Sequence, residues 1–218
     1  MNKVRVTRLM AACMDQDIEE ATTLIEAGAD VNEIVPLSFH TALSYAVEKE
    51  DIGVAKLLLE ARANPEAKIH FYEEYYESVL QVACANRDRE MIELLLDFGA
   101  DINRKYRDTP LNTAIFAIHE ESDLGYIDLL LERKADVNNT GICPPLLGAC
   151  MIMSIYTPKL VKKLLEAGAD VNTKDFLGRT SLTFLQKYGH LEEEGLSPPI
   201  TDAQLIEAID LLKSYGAL

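Results

Sequence analysis

Eight side chains in this 218-residue sequence carry the usual means of metal binding or nucleophilic attack: Cys13, Cys84, Cys143, Cys150, His40, His70, His119 and His190. Their spacing supports neither chemistry. A structural zinc site needs four sulfur or nitrogen ligands in short pairs, and no Cys-x-x-Cys or His-x-x-x-His pair occurs. The stretch "HEES" at 119–122 has one His and a Glu but lacks the second His that a zinc-protease helix requires. No Gly-rich phosphate loop and no Gly-x-Ser-x-Gly elbow is written anywhere. The sequence therefore predicts no catalytic residue, no metal ligand and no cofactor, and hence no enzyme.

A different chemistry is better represented. Seven of the fifteen Phe and Tyr residues fall in connecting segments: Phe39, Phe71, Tyr72, Tyr75, Tyr76, Tyr106 and Phe176. Four of them crowd into "FYEEYY" at 71–76. Aromatic rings displayed on connections are frequent anchors at protein interfaces, so the expected chemistry is recognition.

The elements that would hold these rings follow from a repeated phrase. Residues 164–172 read "LLEAGADVN", and the phrase recurs as "LIEAGADVN" at 24–32, "LLEARANPE" at 58–66, "LLDFGADIN" at 95–103 and "LLERKADVN" at 130–138. Its Ala residues, 29, 63, 100, 135 and 169, stand 34, 37, 35 and 34 apart, a period that signals stacked helical units. A second signal follows most copies: "TALSYA" at 41–46, "SVLQVA" at 78–83, "TPLNTA" at 109–114, "PPLLGA" at 144–149 and "TSLTFL" at 180–185, with "TRLMAA" at 7–12 opening the series. Thr7, Thr41, Ser78, Thr109 and Thr180 can accept a bond from free amides of a first helical turn. Pro110 and Pro145 suit a first turn, where a missing N–H costs nothing. The Leu-rich run makes a second helix. Gly28, Gly99 and Gly168 end it in left-handed geometry, and the following Asp and Asn turn the chain outward. Arg62 and Lys134 stand where the other copies have Gly; if they take that geometry each costs about 1 kcal/mol, and the second and fourth units are then expected to be locally softer.

With the phrase in register, the chain resembles the ankyrin-repeat family. The best matches are "TPLN" through Ala at 109–114, "GADVN" at 28–32 and 168–172, and "NTKDFLGRTSL" at 172–182. The resemblance implies an all-α ankyrin-repeat solenoid of helix-turn-helix units with protruding hairpin or loop fingers. It covers residues 1–218 as one domain of six repeats, at about 3–36, 37–72, 74–104, 105–139, 140–173 and 174–218. The last is atypical and carries an insertion at 186–201, with a closing helix at about 202–214. The usual His after Leu is replaced by Met10, Ser44, Gln81, Asn112, Leu147 and Thr183, so the family's His-centred hydrogen bonds must be absent or rebuilt. Gly189-His190 matches a helix-linking pair of the family. The same register places Cys13, Cys84 and Cys150 in a small apolar slot of the first helix, where buried reduced thiols are expected. Cys143 falls in a finger and is the thiol expected at the surface. The extra residues "AIHEESD" at 117–123 and "MIMSIYT" at 151–157 are expected to lengthen two first helices.

The family resemblance implies a non-catalytic module that binds a protein through the concave face of fingers and inner helices. The expected contacts are Phe39, Phe71, Tyr72, Tyr75, Tyr76, Tyr106, Phe116, Met151 and Phe176. Charge adds to this. Against 21 basic residues stand 36 acidic ones, a net −15. Such a field repels nucleic acid and anionic lipid and favours a partner with a basic surface. It also keeps an alternative open, an acidic inhibitor or immunity-type protein masking a basic enzyme, or a bacterial effector directed at a host. No apolar window is long enough for a membrane span. The apolar run at the start is too short for a signal peptide and is broken by Asp15 and Asp17. The expectation is a monomer in the cytoplasm, or in a host cell if it is delivered there.

Overall fold

The structure, a computed structural model, describes residues 6–35, 39–72, 75–189 and 199–218, with backbone only for residues 70–72 and 75. Among them are twelve α-helices in six consecutive pairs and one β-hairpin. The helices gather into two compact units, residues 1–107 and 108–218.

In the first unit the inner helices are α1 (Arg8–Met14), α3 (Ala42–Glu48) and α5 (Val79–Asn86). Their outer partners are α2 (Ile18–Glu26), α4 (Ile52–Glu60) and α6 (Arg89–Asp97). Inner helices pack on inner ones and outer on outer. In the second unit the inner helices are α7 (Pro110–Phe116), α9 (Pro145–Met151) and α11 (Ser181–Tyr188). The outer ones are α8 (Leu124–Glu132), α10 (Thr157–Glu166) and α12 (Asp202–Ser214).

The sequence dictates these starts and stops. Thr7, Thr41, Ser78, Thr109 and Thr180 each cap an inner helix with a side-chain oxygen. In four copies the residue that follows Leu in the second signal makes a hydrogen bond of its own. Ser44, Gln81 and Thr183 each accept a bond from the amide of their own cap at 2.9 Å, closing a capping box. Asn112 instead reaches the next repeat, donating from Nδ2 to the Cys143 carbonyl at 2.7 Å.

The repeated phrase is a helix stop. The amides of Ala29, Ala63, Ala100, Ala135 and Ala169 donate to the carbonyls of Leu24, Leu58, Leu95, Leu130 and Leu164, the bond that closes a left-handed C-terminus. Gly28, Gly99 and Gly168 adopt φ of 87°, 92° and 90°, and Arg62 and Lys134 are held at 69° and 68°. A Cβ in that region costs about 1 kcal/mol. Arg62→Gly and Lys134→Gly are therefore expected to raise thermal stability by about 0.5–1 kcal/mol each, part of the relief being offset by the freer unfolded chain. A lowered melting temperature for both would show that the Arg and Lys stems contribute more than the strain costs.

Two expectations need correction. The extra residues at 117–123 and 151–157 do not lengthen α7 or α9, each of which keeps seven residues. After α7, the buried Asp123 carboxylate accepts from the amides of His119 and Glu120 at 2.7 and 2.9 Å, and this draws the chain into a 3-10 turn at Glu121–Asp123. After α9, Ser154 and Thr157 bond to neighbouring amides, and the turn accepts the segment entering α12 through Ile200 N–H to Met153 O, 2.9 Å. Cys143 is also not at the surface. It is 4% exposed, because Asn112 draws its carbonyl down onto the inner helix.

Candidate functional site

The long finger of the first unit is a true hairpin. Strand β1 (Lys68–Tyr72) runs antiparallel to β2 (Tyr75–Ser78), with Lys68 opposite Ser78, Ile69 opposite Glu77 and His70 opposite Tyr76. Alternation then sorts the side chains. Ile69 is fully buried and anchors the finger. Lys68 lies on the other face, diagonal to Tyr76.

Lys68 there meets two rings. Its Nζ stands 4.6 Å from the Tyr76 ring centre and 4.8 Å from that of Phe39, within cation–π range. Phe39 and Tyr76 pack edge to face at 5.6 Å. Phe39 has φ of 59°, left-handed geometry that a bulky side chain rarely accepts. The turn holds it there through Phe39 N–H to Val35 O at 3.0 Å and Val35 N–H to His40 O at 2.9 Å.

Phe39 and Lys68 line a groove of about 500 Å³ with Asn32, Ile34, Thr41, Asn64, Glu66, Ala67 and Tyr106. Ile34 is exposed. Glu66 is fully engaged: one oxygen accepts from the Asp101 amide at 2.6 Å, the other from Arg104 Nε. Tyr106 is half-buried. Burial raises its pKa, Arg104 beside it lowers it and Glu66 raises it, and the net is upward, so the phenol stays a neutral O–H donor.

Phe39 and Tyr106 of the expected contacts thus share one groove, and Tyr76 packs edge to face on Phe39. The side chains of Phe71, Tyr72 and Tyr75 lie outside the described residues, as do His190 and most of the expected 186–201 insertion. Sequence reasoning missed Lys68 and Glu66. Glu66 could have been found, because it occupies the slot held by Asn32, Asn138 and Asn172 in other copies.

That slot has a defined task. Asn32 donates to the Arg62 carbonyl at 3.0 Å and accepts from the Asn64 amide at 2.7 Å, so one amide side chain clips the next repeat's backbone. Asn138 does the same with Gly168 and Asp170, and Asn172 with Gly216 and Leu218. Glu66 keeps the accepting half and recruits Arg104 in place of the donating half.

The second unit displays its aromatics differently. Phe116 and Met151 end the neighbouring inner helices α7 and α9, and Phe116 is 40% exposed. Phe176 is 81% exposed at a finger tip, with Leu177 at 61%. The tip is rigid. Asp175, its side chain buried, accepts from the amides of Leu177 and Arg179 at 2.9 and 2.8 Å and pairs with the Arg179 guanidinium at 2.6 Å. Burial raises the Asp175 pKa, but the Arg179 and Leu177 bonds outweigh it and hold the carboxyl below its ordinary range.

Among the described residues no group of three or more His, Cys, Asp or Glu is placed to hold a metal, and no helix is long and apolar enough to cross a membrane. The four thiols are buried and unpaired with one another. Burial pushes Cys13, Cys143 and Cys150 up to about 12, and Cys84 further. Iodoacetamide at neutral pH is expected to leave the folded chain unmodified and to label all four thiols in denaturant, as read by intact mass. Rapid labelling of the native chain would mean that the inner helices open locally.

Six pairs of short antiparallel helices, joined by fingers and stopped by a left-handed turn, define a helix-pair repeat protein. The chain is an ankyrin-repeat protein. The model for ankyrin repeats in many copies matches residues 9–59, and that for the LRRK2 ankyrin repeat matches residues 55–142. The fowlpox virus ankyrin repeat protein FPV018 is 24% identical over 181 residues, which span 72% of this chain and 25% of that protein. Human ankyrin repeat and SOCS box protein 6 is 32% identical over 108 residues, 46% of this chain and 25% of that protein. The chain thus spans about a quarter of the length of these curated relatives. A solved ankyrin repeat domain from Acinetobacter baumannii aligns with a TM-score of 0.78 at 23% identity, covering 96% of this chain and 98% of that one. The fold class is accordingly the all-α ankyrin-repeat solenoid. Ankyrin repeats are generally protein–protein interaction modules.

Proposed function

We propose that this chain is a non-catalytic module that binds a protein partner through its fingers and the ends of its inner helices. The single observation that carries the reading is the groove beside the hairpin, where Phe39 is held in strained geometry against Tyr76 and Lys68. Such geometry persists only where the surrounding structure holds it, and it clusters at binding and active sites. The proposed first-unit contact also includes Phe71, Tyr72, Tyr75, Tyr76 and Tyr106. Phe116, Met151 and the Phe176 tip serve the second. The net charge of −15 favours encounter with a partner whose surface is basic, which speeds association more than it deepens affinity. The same charge suits a role as an acidic inhibitor of a basic enzyme or as a host-directed effector. The chain acts as a monomer in the cytoplasm, or in a host cell if delivered there.

Capture from host lysate tests the proposal with two variants. One carries Phe39→Ser, Tyr76→Ser, Tyr106→Ser and Phe176→Ser. The other carries Lys56→Ser, Glu60→Ser and Glu90→Ser, all exposed on α4 and α6. The expected result is a protein held by the native chain and the outer-helix variant and lost by the finger variant, with unchanged circular dichroism. Equal retention by all three would move the site off the fingers.

A further inference from the structure

We propose that the first-unit groove recognises an acidic peptide segment, in which one carboxylate pairs with Lys68 and an adjoining large apolar side chain packs on Ile34, Phe39 and Ala67. This rests on the protein-binding reading above and specifies the chemistry of its first-unit contact.

The argument begins with the charge balance of the groove wall. Two ionisable groups of opposite sign line it, Glu66 and Lys68. Glu66 is paired internally, one oxygen bonded by the Asp101 amide and the other by Arg104, which balances its charge. Lys68 is not. It has no carboxylate partner among the described residues, and its ammonium rests on the faces of Phe39 and Tyr76. Those faces orient the ammonium and accept none of its N–H bonds as an oxygen would. An ammonium supplies three donors and seeks oxygen.

The surroundings carry the same sign. In a chain of net −15, three of the four residues 104–107 are basic: Arg104, Lys105 and Arg107. Lys105 and Arg107 are exposed. They flank Tyr106, whose phenol lines the groove as a neutral donor with no acceptor among the described residues. Two unspent donors, one of them a cation, therefore line one concavity and call for an anionic acceptor. The remaining wall, Ile34, Phe39 and Ala67, is apolar and calls for a hydrocarbon side chain beside that acceptor. A phosphate would satisfy the donors but not the apolar wall, and a basic peptide would oppose Lys68. A peptide in which Asp or Glu adjoins Leu, Ile or Phe satisfies both halves. Long-range and short-range electrostatics thus have opposite sense here. The whole-chain field steers basic surfaces in, and the groove then selects one carboxylate on what arrives.

The probe is an array of 12-residue peptides with a central Leu or Phe, flanked in matched sets by Asp, Asn or Lys and incubated with the full chain. Asp-flanked peptides are expected to be held about tenfold more tightly than their Asn counterparts, the usual worth of a charge-assisted bond. Lys68→Met keeps the stem that packs on the rings and removes the charge, so the Asp preference should vanish while the melting temperature stays unchanged. Lys68→Arg should restore it. No preference for Asp over Asn, or a preference that survives Lys68→Met, overturns the inference. If lysate capture still shows a partner lost with the finger variant, protein binding by the fingers stands and only the acidic specificity falls. If both experiments fail, both proposals fall.

Discussion

Leu130→Ala is expected to lower the unfolding free energy by about 3 kcal/mol, and Leu24→Ala by about 1 kcal/mol. The two residues hold the same place in the repeated phrase, and both carbonyls accept the amide of the Ala five residues on. Backbone geometry therefore does not separate them. Burial does. Leu130 is fully buried, whereas Leu24 in the first repeat is half-buried. Truncating a fully buried Leu leaves a cavity, whereas solvent already reaches the half-buried one. Urea unfolding of the two variants, with the slope checked against the native chain, measures the difference. Equal losses would mean that the phrase is kept for its turn alone.

Gly141→Ala is expected to cost about 2–3 kcal/mol, an overpacking penalty at a position that looks permissive in the sequence. A Cβ on Gly141 would stand 1.9 Å from the Asp108 carboxylate oxygen and 2.8 Å from the Asp108 Cα. The second contact is with backbone and cannot be relieved by turning a side chain. Asp108 also accepts from the Thr109 amide at 2.9 Å and from the Ile142 amide at 3.4 Å, so displacement would loosen the start of α7 and the finger before α9 together. Contrast Gly28, where nothing lies within 4 Å of the added carbon and only the positive φ is at stake, a loss of about 1 kcal/mol. Thermal unfolding of Gly141→Ala beside Gly28→Ala separates the two causes. A milder effect at Gly141 would show that the finger shifts freely.

The helix pairs were legible because each boundary is written in local chemistry. A Thr or Ser cap, a Pro in a first turn and a Gly stop act within a few residues, so reading them needs no knowledge of the fold. The slot after Leu was legible only as a vacancy. That Ser44, Gln81 and Thr183 would turn back onto their own caps, while Asn112 reaches 31 residues ahead, depends on side-chain length against a backbone not yet placed. The two misplaced lengthenings share a cause. Extra residues after an inner helix can extend it or leave it, and Asp123 and Ser154 decide for leaving by capturing amides. At the groove, the rings were visible as an excess of aromatics in connections. The unspent charge of Lys68 was not, since it follows from Glu66 being consumed by Arg104, a pairing across 38 residues.

The Asn clip has a consequence for how such a chain can change. Asn32, Asn138 and Asn172 each grip only an amide and a carbonyl, atoms that every residue but proline supplies. The receiving side of the joint therefore reads no side chain; it asks only for the left-handed turn, at which Arg62, Gly168 and Gly216 all stand. The partners it accepts include Arg62 with Asn64, Gly168 with Asp170, and Gly216 with Leu218, three unlike pairs gripped the same way. A duplicated or deleted repeat would find a fitting socket without any compensating substitution. Drift can wear the phrase down, as it has in "LLEARANPE", while the joint it enters still closes.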